Sequence, residues 1–379
     1  MLCKMGGKKK MDERIKKLAK NIISYSLNLQ KGERLLIEAK DCNPTIIKAL
    51  VAEAYAVGAY PYVTLLSSEI SRALLLGESE ERIALKSEFD LEFMKKMDAY
   101  ITIRGAQNIF ETSDVPSERI AINTRHTDKV RNERVNNTKW VLLMAPSEGL
   151  AQSAKMSTEE YEDFYFKVCN LDYSKMSKAM DNLVEVMEKT DRVRLVAPGT
   201  DISFSIKGIP AIKCAGNMNI PDGEVFTAPV KNSINGKISY NLPTSYNGTS
   251  FSNICLEVKD GKIVKATGTN EEKLNSILNT DEGARYFGEF SLGVNPYITR
   301  GFEDILFDEK MAGSIHFTPG CCYENEAPNG NISSIHWDMV LSMLPQHGGG
   351  EIYFDDVLIR KDGLFVIDKL KCLNPENLI

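Results

Sequence analysis

The stretch ERLLIEAKDCNPTIIKALVAEAYAVGAYPYVTLL, residues 33–66, decides the fold of the first half of the chain. Its opening run, 33–39, is apolar without alternating and too short for a helix, which predicts a buried strand. Asn43 followed by Pro44 predicts a helix start, because an asparagine side chain can accept from an orphan N–H and proline has none to lose there. The helix should run to about Val57 and stop at Gly58, and YPYVTLL (60–66) should form the next strand. Strand, helix and strand with continuously apolar strands is the pattern of a parallel sheet covered on both faces. The same alternation extends outward. Ile15, Leu18, Ile22, Ile23 and Leu27 have helical spacing within 11–30, and helical stretches at about 80–97 and 117–135 lead into AYITIRG (99–105) and KWVLLMAP (139–146).

A capping box at Ser157–Glu160 opens a helical region that breaks near Leu171–Tyr173 and continues to about Lys189. Beyond it the character changes. Short β-branched or alternating runs follow at 192–199, 201–208, 236–243, 252–268 and 350–367, with hairpin signals at Lys259–Lys262 and Lys361–Gly363. The expected architecture is therefore an α/β N-terminal domain with a mostly parallel sheet, residues 1–190, and a β-rich α+β C-terminal domain, residues 191–379.

Two domains suit a chain of 379 residues, which is too long for one ordinary core. With 43% hydrophobic and 26% charged residues the composition is that of a soluble globular protein. A net charge of −6 argues against general nucleic-acid binding, so small molecules or peptides are the better partners. The basic run Lys8–Lys10 precedes a charged helical pattern and not an apolar signal core, and no apolar run is long enough to span a membrane. The eight cysteines have no C-x-x-C spacing and read as reduced thiols, in keeping with a cytoplasmic protein.

Neither a G-x-G-x-x-G after the first strand nor a phosphate-binding G-x-x-x-x-G-K-[ST] is present, and there is no G-x-S-x-G. Histidine is scarce, and three of the four, His316, His336 and His347, lie close together in the chain. In SSIHWDMVL (333–341), a period of two puts His336 and Asp338 on one face and Ile335, Trp337 and Met339 on the other. Glu224 lies in PDGEVFTAP, Glu289 between Gly288 and Phe290, and Tyr323 seven residues beyond His316. Each alone has an ordinary explanation: a turn carboxylate, a satisfied core histidine, a packed aromatic, a surface hydrogen-bonded pair. Together, two glutamates, two histidines and an aspartate form a mixed nitrogen and oxygen shell suited to Zn²⁺, Co²⁺ or Mn²⁺. Five side chains exceed what one catalytic ion needs, and two divalent ions sharing a carboxylate would use them all.

GNMNIPDGEVFTAP, DEGARYFGEFSLGVNPYI, LFDEKMAGSIHFTPG and NISSIHWDMVL together resemble the thermophilic aminopeptidase family, the aminopeptidase T and aminopeptidase S metallopeptidases of family M29. The resemblance runs through most of the chain, with its specific motifs in 216–340. It implies a cytoplasmic homodimer that cleaves N-terminal residues from peptides with two metal ions held by the C-terminal domain. Carried over by motif, Glu224, Glu289, His316, His336 and Asp338 would be the ligands, with Asp338 or Glu289 bridging. Tyr323 would lie beside the metals as a weak ligand or an oxyanion donor, and Glu309 would act from just outside them or carry a proton. The family has fewer residues between its FDE motif and the histidine than separate Glu309 from His316 here, so substrate preference does not carry over. A dimetal hydrolase of another amide or of a phosphoester, and a non-catalytic metal-binding protein of the same fold, are the competing expectations. His126 and His347 are expected to be structural.

Overall fold

Asn43 caps the helix after the first strand, its Oδ1 accepting from Thr45 N at 2.9 Å, and the strand, helix and strand of residues 33–66 form as expected. The computed structural model describes residues 12–77, 79–246 and 248–379; Cys3 and Lys8–Lys10 lie outside them. The elements of the first half are α1 (Glu13–Asn21), β1 (Arg34–Lys40), α2 (Pro44–Ala56), β2 (Tyr60–Leu66), α3 (Ser68–Gly77), α4 (Glu80–Met94), β3 (Ala99–Arg104), α5 (Ser117–Asn137), β4 (Lys139–Met144), α6 (Glu148–Ser153) and α7 (Thr158–Cys169). The chain divides into one unit up to Asn170 together with Asn217–Ile220, and another of Leu171–Gly216 with Pro221–Ile379.

The first unit is an α/β domain whose sheet has the order β2-β1-β3-β4-β8, where β8 is Asn219–Ile220, and every pairing in it is parallel. Leu35, Ile37, Ile101, Ile103, Val141 and Leu143 are fully buried along its central strands. The outer strand β2 departs from the expectation of cover on both faces, with Leu65 69% exposed. It is an edge strand, so its apolar run reflects sheet propensity more than burial. Helix α3 was not anticipated, since its residues have no buried stripe to give a helical period.

The second unit contains α8 (Tyr173–Lys189), β5 (Arg192–Ala197), β6 (Thr200–Ser205), β7 (Ile212–Cys214), β9 (Glu224–Thr227), β10 (Asn235–Ser239), β11 (Thr244–Tyr246), β12 (Thr249–Phe251), β13 (Cys255–Lys259), β14 (Lys262–Thr267) and α9 (Glu271–Leu278). It continues with β15 (Phe287–Gly293), α10 (Ile305–Asp308), β16 (Ser314–Pro319), β17 (Val340–Ser342), β18 (Glu351–Phe354), β19 (Val357–Lys361) and β20 (Leu364–Phe365). A compositional boundary near 190 and this division differ by α8, which packs against β7 and β9, and by Asn217–Ile220, which belong to the first unit. Two antiparallel sheets dominate, an eight-stranded one in the order β14-β13-β10-β6-β5-β18-β19-β20 and a five-stranded one in the order β17-β16-β15-β9-β7.

The five-stranded sheet has two contrasting faces. Register puts Ser291 opposite His316 and Glu289 opposite Thr318, so these polar residues share one face. Phe290 and Phe317 lie on the other and meet Phe204 of β6, with ring centroids 5.0 and 4.8 Å away. A bulge between Phe287 and Glu289 brings Phe287 onto that aromatic face as well, 4.2 Å from Phe317, and keeps Glu289 on the polar side. Gly288 permits the bulge to pack closely, since a Cβ there would stand 2.0 Å from the Cys321 carbonyl oxygen.

Arg360 on β19 is wholly buried and ties the two sheets together. Its guanidinium donates to the carbonyls of Gly293 at 2.9 Å, Ser314 at 2.9 Å and Gly363 at 3.0 Å, and lies over the Phe365 ring, 4.9 Å from its centroid. Burial away from any carboxylate lowers its pKa to about 9. Replacing it with methionine leaves carbonyls at the ends of β15 and β16 unsatisfied. Arg360→Met should therefore lower stability by about 1–3 kcal/mol per orphaned group, read from urea unfolding midpoints at unchanged slope.

Candidate metal centre

Strands β9, β15 and β16 deliver Glu224, Glu289 and His316 to one buried spot, because their polar positions are in register on one face. Glu289 faces two imidazoles with different oxygens. Its Oε1 lies 3.2 Å from His316 Nε2, and its Oε2 lies 3.1 Å from His336 Nε2. Glu224 Oε2 is 3.4 Å from His316 Nε2 and accepts from Ser291 Oγ at 2.9 Å. Asp338 Oδ1 is 3.2 Å from His336 Nε2 and accepts from Thr318 Oγ1 at 2.7 Å. The ligand atoms thus form adjoining groups: Glu224, Glu289 and His316; Glu289, His336 and Asp338; and Glu309, His316 and Asp338.

The segment carrying His336 and Asp338 is extended but is not the regular strand its period of two suggested. Only Val340–Ser342 pairs as β17, while His336 forms an isolated bridge with Gly320. The alternation in burial nevertheless holds, with Ile335, Trp337 and Met339 in the core. Gly320 adopts φ +113°, and a Cβ there would meet the Ile335 carbonyl oxygen at 2.1 Å, so this close approach needs glycine.

His336 supplies the sharpest test of whether the residues fit a metal. Its Nδ1 lies 2.9 Å from the Cys321 carbonyl oxygen, which can only accept, so the ring donates there. Nε2 is then the free nitrogen, buried without a hydrogen bond and facing two carboxylates. A lone pair pointed at carboxylate oxygens is stable only with a cation between them, and an imidazole oriented by a carbonyl on its other nitrogen is how histidine ligands are commonly held. Burial pulls both histidines down, but the facing Glu224 and Glu289 lift His316 to about 10, and Asp338 lifts His336. Burial raises Glu309 to about 8, where Glu224 and Asp338 add to the effect. Without metal the cluster holds itself together with protons, and the donor set fits divalent ions.

Tyr323 packs edge-on against His336, ring centroids 5.0 Å apart, and tilted against Phe226 at 5.2 Å. His126 and His347 are engaged elsewhere: His126 Nε2 is 2.8 Å from Glu80 Oε1, and His347 Nδ1 is 2.7 Å from Ser342 Oγ.

Several residues at the centre escaped the sequence reading. Lys310 is wholly buried and donates to Glu224 Oε1, to Glu309 Oε1 at 2.6 Å and toward Asp222 Oδ1 at 3.6 Å. In the sequence it follows Asp308 and Glu309, a charged run that reads as solvated surface, so no local signal marks it. Asp281 was also missed. It accepts from Ser334 N and Oγ at 2.7 Å, from Ser333 Oγ at 2.8 Å and from Ala284 N at 2.9 Å, anchoring the segment that leads to His336.

The model of the thermophilic metalloprotease family (M29) matches residues 11–356, and the chain belongs to that family of hydrolases. Relatives include aminopeptidase PepS of Streptococcus thermophilus, 26% identical over 87% of this chain and 92% of that one. Aminopeptidase T of Thermus thermophilus is 25% identical over 86% of this chain and 92% of its own length. The solved structure of wild-type AmpT from Thermus thermophilus superposes with a TM-score of 0.81 at 22% identity, covering 94% of this chain and 99% of that one. A 2,5-dihydroxypyridine dioxygenase from Pseudomonas putida KT2440 shares the fold at a TM-score of 0.60 and 13% identity, over 94% of this chain and 98% of its own.

The hydrogen bonds from Ser334 depress the Asp281 carboxyl to about 2, below its ordinary 3.8. A carboxylate with a lowered folded-state pKa contributes stability above pH 3.8, and that contribution disappears as the pH falls toward 2. Asp281→Ala should accordingly melt below the wild type at neutral pH, with the two melting temperatures converging near pH 2 in a calorimetric pH series.

Proposed function

We propose that this metallopeptidase is an aminopeptidase that removes N-terminal residues from peptides by means of water activated at a pair of divalent ions. The observation that carries the reading is Glu289, whose two oxygens face different imidazoles 3.2 and 3.1 Å away. Glu224 Oε2, Glu289 Oε1 and His316 would hold one ion, and Glu289 Oε2, His336 and Asp338 the other, with Glu289 as the bridge. Bound there, a pair of ions lowers the pKa of water and polarises the scissile carbonyl. Zinc, cobalt and manganese all suit this donor set.

The protein groups divide the remaining work. Glu224, Glu289 and His316 are buried, whereas the His336 side chain is 22% exposed and Tyr323 is 44% exposed, so the peptide approaches from the His336 side. Tyr323, whose ring meets His336 there, would donate from its hydroxyl to the developing oxyanion. Glu309, grouped with His316 and Asp338, would carry a proton to the leaving amine. Seven free cysteines among the described residues support a reducing, cytoplasmic setting, and the exposed apolar edge at β2 supports association with a second copy. Among the described residues no helix is long and apolar enough to cross a membrane.

The test is a panel of aminoacyl-p-nitroanilides and short peptides offered to protein loaded with Co²⁺, Zn²⁺ or Mn²⁺, with p-nitrophenyl phosphate alongside. Release of N-terminal residues is expected; phosphatase activity without peptidase activity, or no turnover on any substrate, would contradict the proposal. His336→Ala and Asp338→Ala should each lose metal and activity together. Tyr323→Phe should retain metal by elemental analysis and turn over more slowly by about 10²-fold, in line with the removal of one oxyanion donor.

A further inference from the structure

Beside the paired groups lies another set of ligating side chains, Cys214, Asp222 and Glu224, whose donor atoms all fall within 4.8 Å of one another. Thiol and carboxylates so gathered would suit a borderline divalent ion such as Zn²⁺ or Co²⁺. A cation is already there, and the protein supplies it. The Lys310 ammonium contacts Glu224 Oε1, lies 2.6 Å from Glu309 Oε1 and 3.6 Å from Asp222 Oδ1, and its side chain is 1% exposed. An ammonium so deeply buried persists only when carboxylates surround it.

Its seat is built on both sides. The Lys310 carbonyl accepts from Asn295 N at 2.8 Å, and Asn295 Nδ2 donates to the Asp222 carbonyl at 2.8 Å, so one asparagine ties the lysine backbone to the aspartate backbone. Asp222 is fixed further by Gly216 N at 2.7 Å and Gly223 N at 3.0 Å. These bonds hold the Asp222 carboxylate with its Oδ1 toward Lys310.

We propose that Lys310 is a resident cation that fills a latent third metal site, limits the centre to two ions, and commits Glu224 to bind metal through Oε2 alone. The count of two rests on the function proposed above, but the effect of Lys310 on that count does not. With Oε1 held by the ammonium, only Oε2 of Glu224 faces His316, and Glu289 is left as the carboxylate that spans both groups. Lys310 thereby acts as a positioning residue for the ligand set.

The experiment compares wild type, Lys310→Met and Lys310→Gln, each full length, produced in cobalt-supplemented medium and equilibrated with Co²⁺. Elemental analysis gives the ions per chain, and the near-ultraviolet spectrum reports any thiolate-to-cobalt charge transfer. Each neutral variant should bind one more equivalent than the wild type and show a charge-transfer band that the wild type lacks. Adding Cys214→Ser should remove that band, and Lys310→Arg should restore the wild-type count. An unchanged count, an extra ion that leaves no thiolate band, or a band in the wild type would overturn the proposal. So would failure of both neutral variants to fold even with Co²⁺ present, because the proposal requires that a metal ion can stand in for the ammonium. A wild-type loading other than two would contradict the dimetal reading, while the difference between variant and wild type would still measure the role of Lys310.

Discussion

The second unit is organised around an excess of buried carboxylate. Asp222, Glu224, Glu289, Glu309 and Asp338 converge with little or no access to water, and isolated ionised groups in such surroundings are strongly disfavoured. Positive charge must therefore be built in or bound. Lys310 supplies it on one side, and the two histidines answer it with protons on the other. Divalent ions are the natural replacement for those protons, since a metal at a histidine nitrogen satisfies the ring and the facing carboxylates together.

Holding such a cluster requires a stiff frame, and the sheets provide it. The strands that carry Glu289 and His316 turn their alternate residues, Phe290 and Phe317, into an aromatic layer with Phe204, so the residues that stabilise the sheet also fix the direction of Glu289 and His316. Arg360 performs the same service at the strand ends, joining Gly293 to Ser314 through backbone carbonyls. Outer contacts then orient individual donors: Ser291 on Glu224, Thr318 on Asp338, and the Cys321 carbonyl on His336.

Much of this was legible in the sequence. Apolar runs and the Asn43–Pro44 cap specified the parallel sheet of the first unit, because local periodicity and capping act over short distances. The proposed ligand residues stood out through the scarcity of histidine and the polar residues set into apolar runs. What was hidden depends on long-range partners. Nothing local distinguishes Asp281 from an ordinary turn aspartate until Ser333 and Ser334 arrive from a distant part of the chain, and Lys310 looks like a surface lysine until Asp222 and Glu224 enclose it. Regular strand geometry at His336 was over-read for the same reason: the burial alternates, but a bridge to Gly320 replaces continuous pairing. The exposed face of β2 was equally hidden, as an edge position is a property of sheet order.

Because a dioxygenase shares this fold, the chemistry must reside in how the donors are grouped and not in the architecture alone. The central claim is that Glu289 divides its two oxygens between separate ions. A crystal structure of the Co²⁺- or Zn²⁺-loaded protein with anomalous data at the metal edge tests it most directly. The account predicts two anomalous peaks, roughly 3.5–4 Å apart as in other two-metal sites, one on each side of the Glu289 carboxylate. A single peak chelated by both Glu289 oxygens, or two peaks with Glu289 bound to only one of them, would contradict it.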